Sequence, residues 1–311
     1  MVLGIIERSE KIFILENEEI KLTIRPDLGG RIDQLQDLKT GREWLWHPSG
    51  YNPANTRSLP IGTSFDQYWT GGWDEVFPND IAGEFQGYHL VDHGELWSQR
   101  WQVIATTTFS IKLQYQCQNI PVCVEKIIQL DPKRPEASIL YQFHNQSTRT
   151  IPFLLKQHAA IAIEAGDEIL LPDCWIEPAF LEFSKIIGRA GKTRFPNAFT
   201  ADGREIQVQY TPAPASNLQE FYYSSDLAVG ECGIRHHRSY SALIMRFDPT
   251  DFPFVWVFQS YGGWQDHYVL VMEPATTMPA NLETACQQGT AALLPPQSIQ
   301  QRRLSFCLEH A

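Results

Sequence analysis

The sequence predicts an all-β protein, mostly antiparallel and large enough for two stacked sheets. Two observations carry this. Short runs of alternating or β-branched residues recur along the chain, the pattern of strands that bury one face. No amphipathic helix longer than a few turns separates them, as a βαβ protein would require. The 311 residues are read as a single β-sandwich domain spanning 1–311, since all-β folds often run this long as one unit.

The strands are expected at 11–15 (KIFIL), 20–24 (IKLTI), 101–105 (WQVIA), 109–115 (FSIKLQY), 122–128 (VCVEKII) and 137–143 (ASILYQF). They resume at 206–210 (IQVQY), 242–247 (ALIMRF), 254–258 (FVWVF) and 303–308 (RLSFCL). Turn residues punctuate them at Pro26-Asp27, Asp131-Pro132, Asn145-Gln146, Asp248-Pro249 and Pro295-Pro296. The segment 179–187 reads as a short helix or a strand. The stretch 188–225, rich in Pro, Asn, Gly and Ser, reads as an insertion or mobile loop.

Composition narrows the function classes. Hydrophobic residues at 43% and charged residues at 20% describe a soluble chain with a real core. A formal charge of −11 argues against a duplex nucleic acid partner and an anionic membrane surface. No run reaches the length of a membrane span. The apolar start Met1-Val-Leu-Gly-Ile-Ile is broken at once by Glu7, Arg8 and Glu10. No secretory signal is therefore expected, and the location is read as cytoplasmic. The six cysteines form no CxxC pair, which argues against a structural zinc site. Cys117 and Cys123 flank a hairpin tip and are expected to be thiols. Nine Trp serve either as core filler or as a platform for sugar rings. Filler is the weightier reading for most of them.

One segment stands out for chemistry. In Tyr268-Val-Leu-Val-Met-Glu-Pro an apolar strand delivers a single carboxylate, Glu273, which is costly to bury unless it is paired or does chemistry. Two histidines sit upstream, His93 in Asp-His-Gly-Glu and His158 at the end of Leu-Leu-Lys-Gln-His. One carboxylate and two imidazoles make a proton-transfer set. Each also has a plainer reading: a strand-end ion pair for Glu273, a hydrogen-bonded core residue for His158, a turn residue for His93. Gly94 would let a ligand approach the backbone. Trp73, Asp74 and Glu75 combine an aromatic face with two hydroxyl acceptors, the two carboxylates reading equally as solvation of a loop, and Trp264 with Asp266 suggests another rim. Gln157 and Arg100 are further candidates, Arg100 alternatively pairing with Glu95. The run Arg235-His236-His237-Arg238 reads as a solvated basic patch, because adjacent strand residues point to opposite faces and cannot share one ion.

Taken in order, several segments resemble the galactose mutarotase (aldose 1-epimerase) family. They are Leu28-Gly-Gly-Arg-Ile-Asp, Gly71-Gly-Trp-Asp-Glu-Val-Phe-Pro78, His93-Gly94 with Arg100-Trp101, His158, Met272-Glu-Pro-Ala-Thr276 and Gly289-Thr-Ala-Ala-Leu-Leu-Pro-Pro296. The resemblance runs from about residue 20 to the end. The chain departs from it at His158-Ala-Ala, where the typical galactose enzymes have His-Pro-Tyr/Phe-Asn, and it lacks their Asn-Arg segment.

The resemblance implies a two-sheet supersandwich with a groove on one sheet. It also implies catalysis without metal or cofactor and interconversion of the α and β anomers of a hexose. Opening the ring requires a base at the anomeric hydroxyl and an acid at the ring oxygen. Glu273 is expected as base, His158 as acid and His93 as a second imidazole binding the sugar. The expected partner is a small sugar, with the protein a monomer or homodimer. Two other readings stay open: a carbohydrate-binding protein without catalysis, and a lyase or hydrolase on the same scaffold.

Overall fold

A computed structural model describes residues 12–310. Lys11, at the start of the first expected strand, and the apolar segment 1–6 lie outside the described residues. Two large sheets dominate. The ten-stranded sheet runs in the order Phe13–Glu16, Ile20–Arg25, Arg31–Asp37, Trp73–Val76, Lys156–Ile161, Tyr268–Ala275, Phe254–Tyr261, Leu218–Ser225, Trp175–Pro178, Thr193–Arg194. The eight-stranded sheet runs Glu168–Leu170, Glu231–Arg235, Ala242–Phe247, Ile299–Glu309, Glu136–Asn145, Val122–Leu130, Ser110–Gln116, Gln102–Thr107. Neighbouring strands within both sheets pair antiparallel, as in Val122–Leu130 with Glu136–Asn145.

The core lies between the sheets and follows from period-two alternation. Val122, Val124, Ile128 and Leu130 point inward from one strand, and Ala137, Ile139, Tyr141 and Phe143 from the next. Leu22, Ile24, Met272, Val257 and Tyr222 meet them from the ten-stranded sheet. Among the described residues no helix is long and apolar enough to cross a membrane. All six cysteines are free thiols, including Cys117 and Cys123.

Two expectations fail here. The end of 188–225 is not a loop: Leu218–Ser225 is an interior strand of the ten-stranded sheet, pairing with both Phe254–Tyr261 and Trp175–Pro178. Its Phe-Tyr-Tyr centre is flanked by Gln219-Glu220 and Ser224-Ser225, and it is buried on both faces, so no period-two alternation marks it. Residues 179–187 are neither helix nor strand but an irregular loop. Buried Glu220 holds it, accepting from Ser184 Oγ at 2.5 Å and from Ile187 N at 2.7 Å.

Candidate active site

The site is a row of residues across the outer face of the ten-stranded sheet. Antiparallel register sets Asp74 opposite His158 and Trp256 opposite Glu273, and Tyr223 opposite Trp256. The pairing of Ala159 with Met272 brings His158 beside Glu273. Directly opposed residues share a face, so Asp74, His158, Glu273, Trp256 and Tyr223 form one line. Lys156, two residues before His158, shares that face.

His158 Nε2 lies 3.3 Å from Glu273 Oε1, and Lys156 Nζ lies 3.1 Å from the same oxygen. Lys156 also donates to Asp80 Oδ2 at 2.5 Å and sits 4.5 Å over the Trp256 ring. Glu273 Oε2 and His158 Nδ1 are buried without a protein partner. His93 adopts φ +55° and stacks on Phe65 at 3.9 Å. Asp92 fixes that stack, with Oδ1 2.8 Å from His93 Nδ1 and Oδ2 accepting from Phe65 N at 3.0 Å. The His93 and His158 rings are 6.4 Å apart.

These groups face a cavity of ≈ 200 Å³. Its polar end is Asp80, His93, Lys156, His158 and Glu273, with Asp66 nearby, and its walls are Phe65, Phe180, Phe183, Phe221, Phe258 and Trp264. The 179–187 loop supplies Phe180 and Phe183, so the anchor at Glu220 shapes the site.

Burial sets the electrostatics. It pushes Glu273 up to about 7, with Lys156 pulling the other way. It drives His158 well below the ordinary histidine value, and Lys156 and His93 add to the effect. Burial also opposes the charges of Lys156 and Asp80, yet each prevails through the other: Lys156 is raised and Asp80 lowered. The cluster thus holds a fixed Lys156–Asp80 ion pair beside a carboxyl and an imidazole that compete for one proton.

The structure brings Glu273, His158, His93 and Trp264 to this cavity and leaves the other candidates elsewhere. Trp73, Glu75 and Gln157 lie on the opposite, inner face. Trp73 Nε1 donates to Gln157 Oε1 at 3.0 Å, and Glu75 pairs with Lys126 between the sheets. A one-residue step along a strand changes the face, and that step separates Gln157 from His158. Asp74 shares the row with His158, but it is buried 3.9 Å from Arg31 and does not line the cavity. Burial pushes it up to about 7.

Arg100 is exposed and does not line the cavity. Glu95 instead accepts from Tyr115 OH and from the Gln118 and Asn119 amides. Asp266 is exposed in the turn after Trp264, outside the lining. Gly94 serves packing rather than ligand approach, since a Cβ there would sit 1.9 Å from Phe77 O. Lys156, Asp80 and the phenylalanines of the wall were not singled out from the sequence. The signals available were Lys156 at two residues from His158 and Asp80 just beyond Phe77-Pro78. The basic-patch reading also fails: the strand stops at Arg235, and His236 is buried in the turn that follows.

With fold and geometry in hand, comparison places the architecture among galactose mutarotase-like proteins. A galactose mutarotase-like protein from Clostridium acetobutylicum superposes with a TM-score of 0.70 at 13% identity, covering 99% of each chain. One from Lactobacillus casei gives 0.69 at 13% identity, covering 96% of this chain and 100% of that one. A galactose mutarotase related enzyme from Lactobacillus acidophilus gives 0.65 at 16% identity over 96% and 97%. No protein-family model and no curated protein matches the sequence. The chain therefore has the galactose mutarotase-like fold.

Proposed function

We propose that the protein is an aldose 1-epimerase-like isomerase that exchanges the anomers of a sugar by acid–base ring opening. The observation that carries this is the direct contact of Glu273 with His158 inside a cavity that also holds His93. Ring opening removes a proton from the anomeric hydroxyl and adds another to the ring oxygen as the carbon–oxygen bond breaks. Glu273 takes the first and His158 delivers the second. Rotation about the adjacent carbon–carbon bond exposes the other face of the aldehyde. Closure runs the same transfers backward, so the pair returns to its starting proton count. Lys156 supplies a fixed positive charge beside Glu273, and the aromatic walls cover the C–H faces of the sugar. The resemblance of the chain to mutarotases in its motifs and in its fold supports the same reading.

The test is anomer exchange across a panel of free and phosphorylated aldoses, followed by polarimetry with no added cofactor. Acceleration of at least one is expected. Binding of a sugar with no acceleration would leave a binding protein instead.

The pH profile has a definite sign. The working state carries one proton on the Glu273–His158 pair. In the free enzyme that proton rests mainly on Glu273, which holds it up to about 7, and it must pass to His158 in the sugar complex before Glu273 can act as base. Above that value the pair is empty, so kcat/KM should fall as pH rises through about 7, after subtraction of the buffer-catalysed rate. A rise through the same range would move the ring-oxygen donor from His158 to Lys156. His93→Asn is expected to raise KM more than it lowers kcat, since His93 lies at the side of the proton-transfer pair. An equal fall in kcat and kcat/KM would instead put His93 in the proton transfer.

A further inference from the structure

Away from this cavity, we propose that Glu164, His236 and His237 form a binding site for a divalent transition metal, zinc above all. One ligand atom from each of the three lies within 4.8 Å of the other two. Two imidazoles and a carboxylate are a ligand set that zinc accepts with a water in the fourth position. None of the three lines the cavity described above.

The surrounding groups orient the ligands. Strand geometry would aim adjacent histidines apart, but the Glu231–Arg235 strand ends before them. In the turn their rings lie 5.1 Å from each other. His236 Nδ1 contacts Ser239 Oγ at 2.8 Å, and that hydroxyl reaches Ser241 Oγ at 2.6 Å. Ser239 N also donates to Nδ1 at 3.3 Å, so coordination through Nε2 requires the ring proton to move to Nδ1, which then donates to the Ser239 hydroxyl. That Nε2 is buried without a hydrogen-bond partner, 3.3 Å from Glu164 Oε1, and the side chain is 10% exposed.

His237 Nδ1 faces Asp167 Oδ1 at 3.0 Å, the carboxylate–histidine arrangement that raises ligand basicity at zinc sites. Its Nε2 accepts from Arg238 Nε at 3.1 Å, so this lone pair is also presented outward. On the carboxylate side, Glu164 N donates to Asp167 Oδ2 at 2.8 Å, which ties the Glu164 turn to the same anchor.

Two cations stand against an ion. Arg42 Nη1 lies 3.9 Å and Arg238 Nη2 3.6 Å from Glu164. Arg238 is 74% exposed and free to swing away, so metal binding exchanges its contacts for coordination. Ligand atoms around zinc stand nearer to one another than 4.8 Å, and a small closure of the two turns onto the ion completes the geometry. The ion would pin the turn after the Lys156–Ile161 strand to the turn between Glu231–Arg235 and Ala242–Phe247.

The experiment is calorimetric titration of tag-free protein, stripped with chelator, with zinc chloride. Cobalt(II) absorption serves as a second readout of the ligand set. One equivalent of zinc is expected for the wild type. Loss of binding is expected for His236→Gln and for Glu164→Gln. Ser239→Ala should weaken binding about 10–100-fold through lost orientation of His236. Arg238→Ala should tighten it, because a competing cation leaves. Absence of stoichiometric zinc in the wild type overturns the proposal and leaves Nε2–H of His236 pairing with Glu164. Zinc retained by both His236→Gln and Glu164→Gln also overturns it. Circular dichroism of the metal-free variants checks folding, and Glu164→Gln carries the test if His236→Gln does not fold.

Discussion

Glu273→Gln should cut anomer exchange by a factor on the order of 10² or more while leaving the fold intact. Gln keeps the shape of Glu and cannot take a proton. His158 then loses the group that completes the transfer, and Lys156 keeps Asp80 as its counter-ion. His158→Asn should also slow exchange, because the two groups share one proton count. Stability should move in the opposite direction. Glu273 titrates near 4.5 unfolded and about 7 folded, so the folded state holds the proton more tightly. Its stabilising contribution is complete below the unfolded value and is lost as pH rises through 7. At about 1.4 kcal/mol per unit, the carboxylate costs the wild type up to about 3 kcal/mol in alkaline buffer. Glu273→Gln should therefore melt higher than wild type at pH 8 and show little gain at pH 5. A slow variant that also melts lower at pH 8 would mean that Glu273 is a structural partner of Lys156 and not a strained base. A variant as fast as wild type would place the base elsewhere.

The strands were legible because one face of each meets a common core, and this writes alternation into the sequence. Val122–Leu130 and Glu136–Asn145 show it plainly. Leu218–Ser225 was hidden because burial on both faces leaves no alternation, Gln219, Glu220, Ser224 and Ser225 are polar, and Pro, Gly and Ser precede it. Glu273 and His158 were legible for a different reason: each is an ionisable group on an otherwise apolar strand. What the sequence could not supply was face and register. Gln157 and His158 are equally conspicuous as letters, yet one points between the sheets and the other into the cavity. Trp73 and Glu75 lie inside because they are one step out of phase with Asp74. Lys156 could have been found by parity with His158. Asp80, Phe180 and Phe183 lie on irregular loops, where no period links sequence to direction. The two histidines at 236 and 237 lie side by side because the strand ends at Arg235, before them.

The same inward face carries the largest stability effect expected of any substitution here. Lys126 comes from the eight-stranded sheet and Glu75 from the ten-stranded one, and both are completely buried. Lys126 Nζ also donates to Gly30 O at 3.0 Å, and Tyr141 OH donates to Glu75 Oε1 at 2.6 Å. The pair thus joins the sheets through a polar bridge in an apolar layer. Burial pushes Glu75 up, against the pull of Lys126 and Tyr141. Lys126→Met removes the cation and leaves the carboxylate alone, which costs about 3–5 kcal/mol for a buried pair broken on one side. Against a total of roughly 5–15 kcal/mol that loss is decisive. It should be largest at high pH, since a lone buried carboxyl escapes the penalty by taking a proton as pH falls. Replacing both groups, as in Glu75→Leu with Lys126→Met, should recover most of the loss, because apolar packing can stand in for a desolvated ion pair. Urea unfolding of the three proteins at pH 5 and pH 8 reads all of this. A single variant within about 1 kcal/mol of wild type at pH 8 would show that the bridge is dispensable. A double variant no better than Lys126→Met would show that the sheets need the polar contacts to Gly30 and Tyr141 rather than the cancellation of two charges.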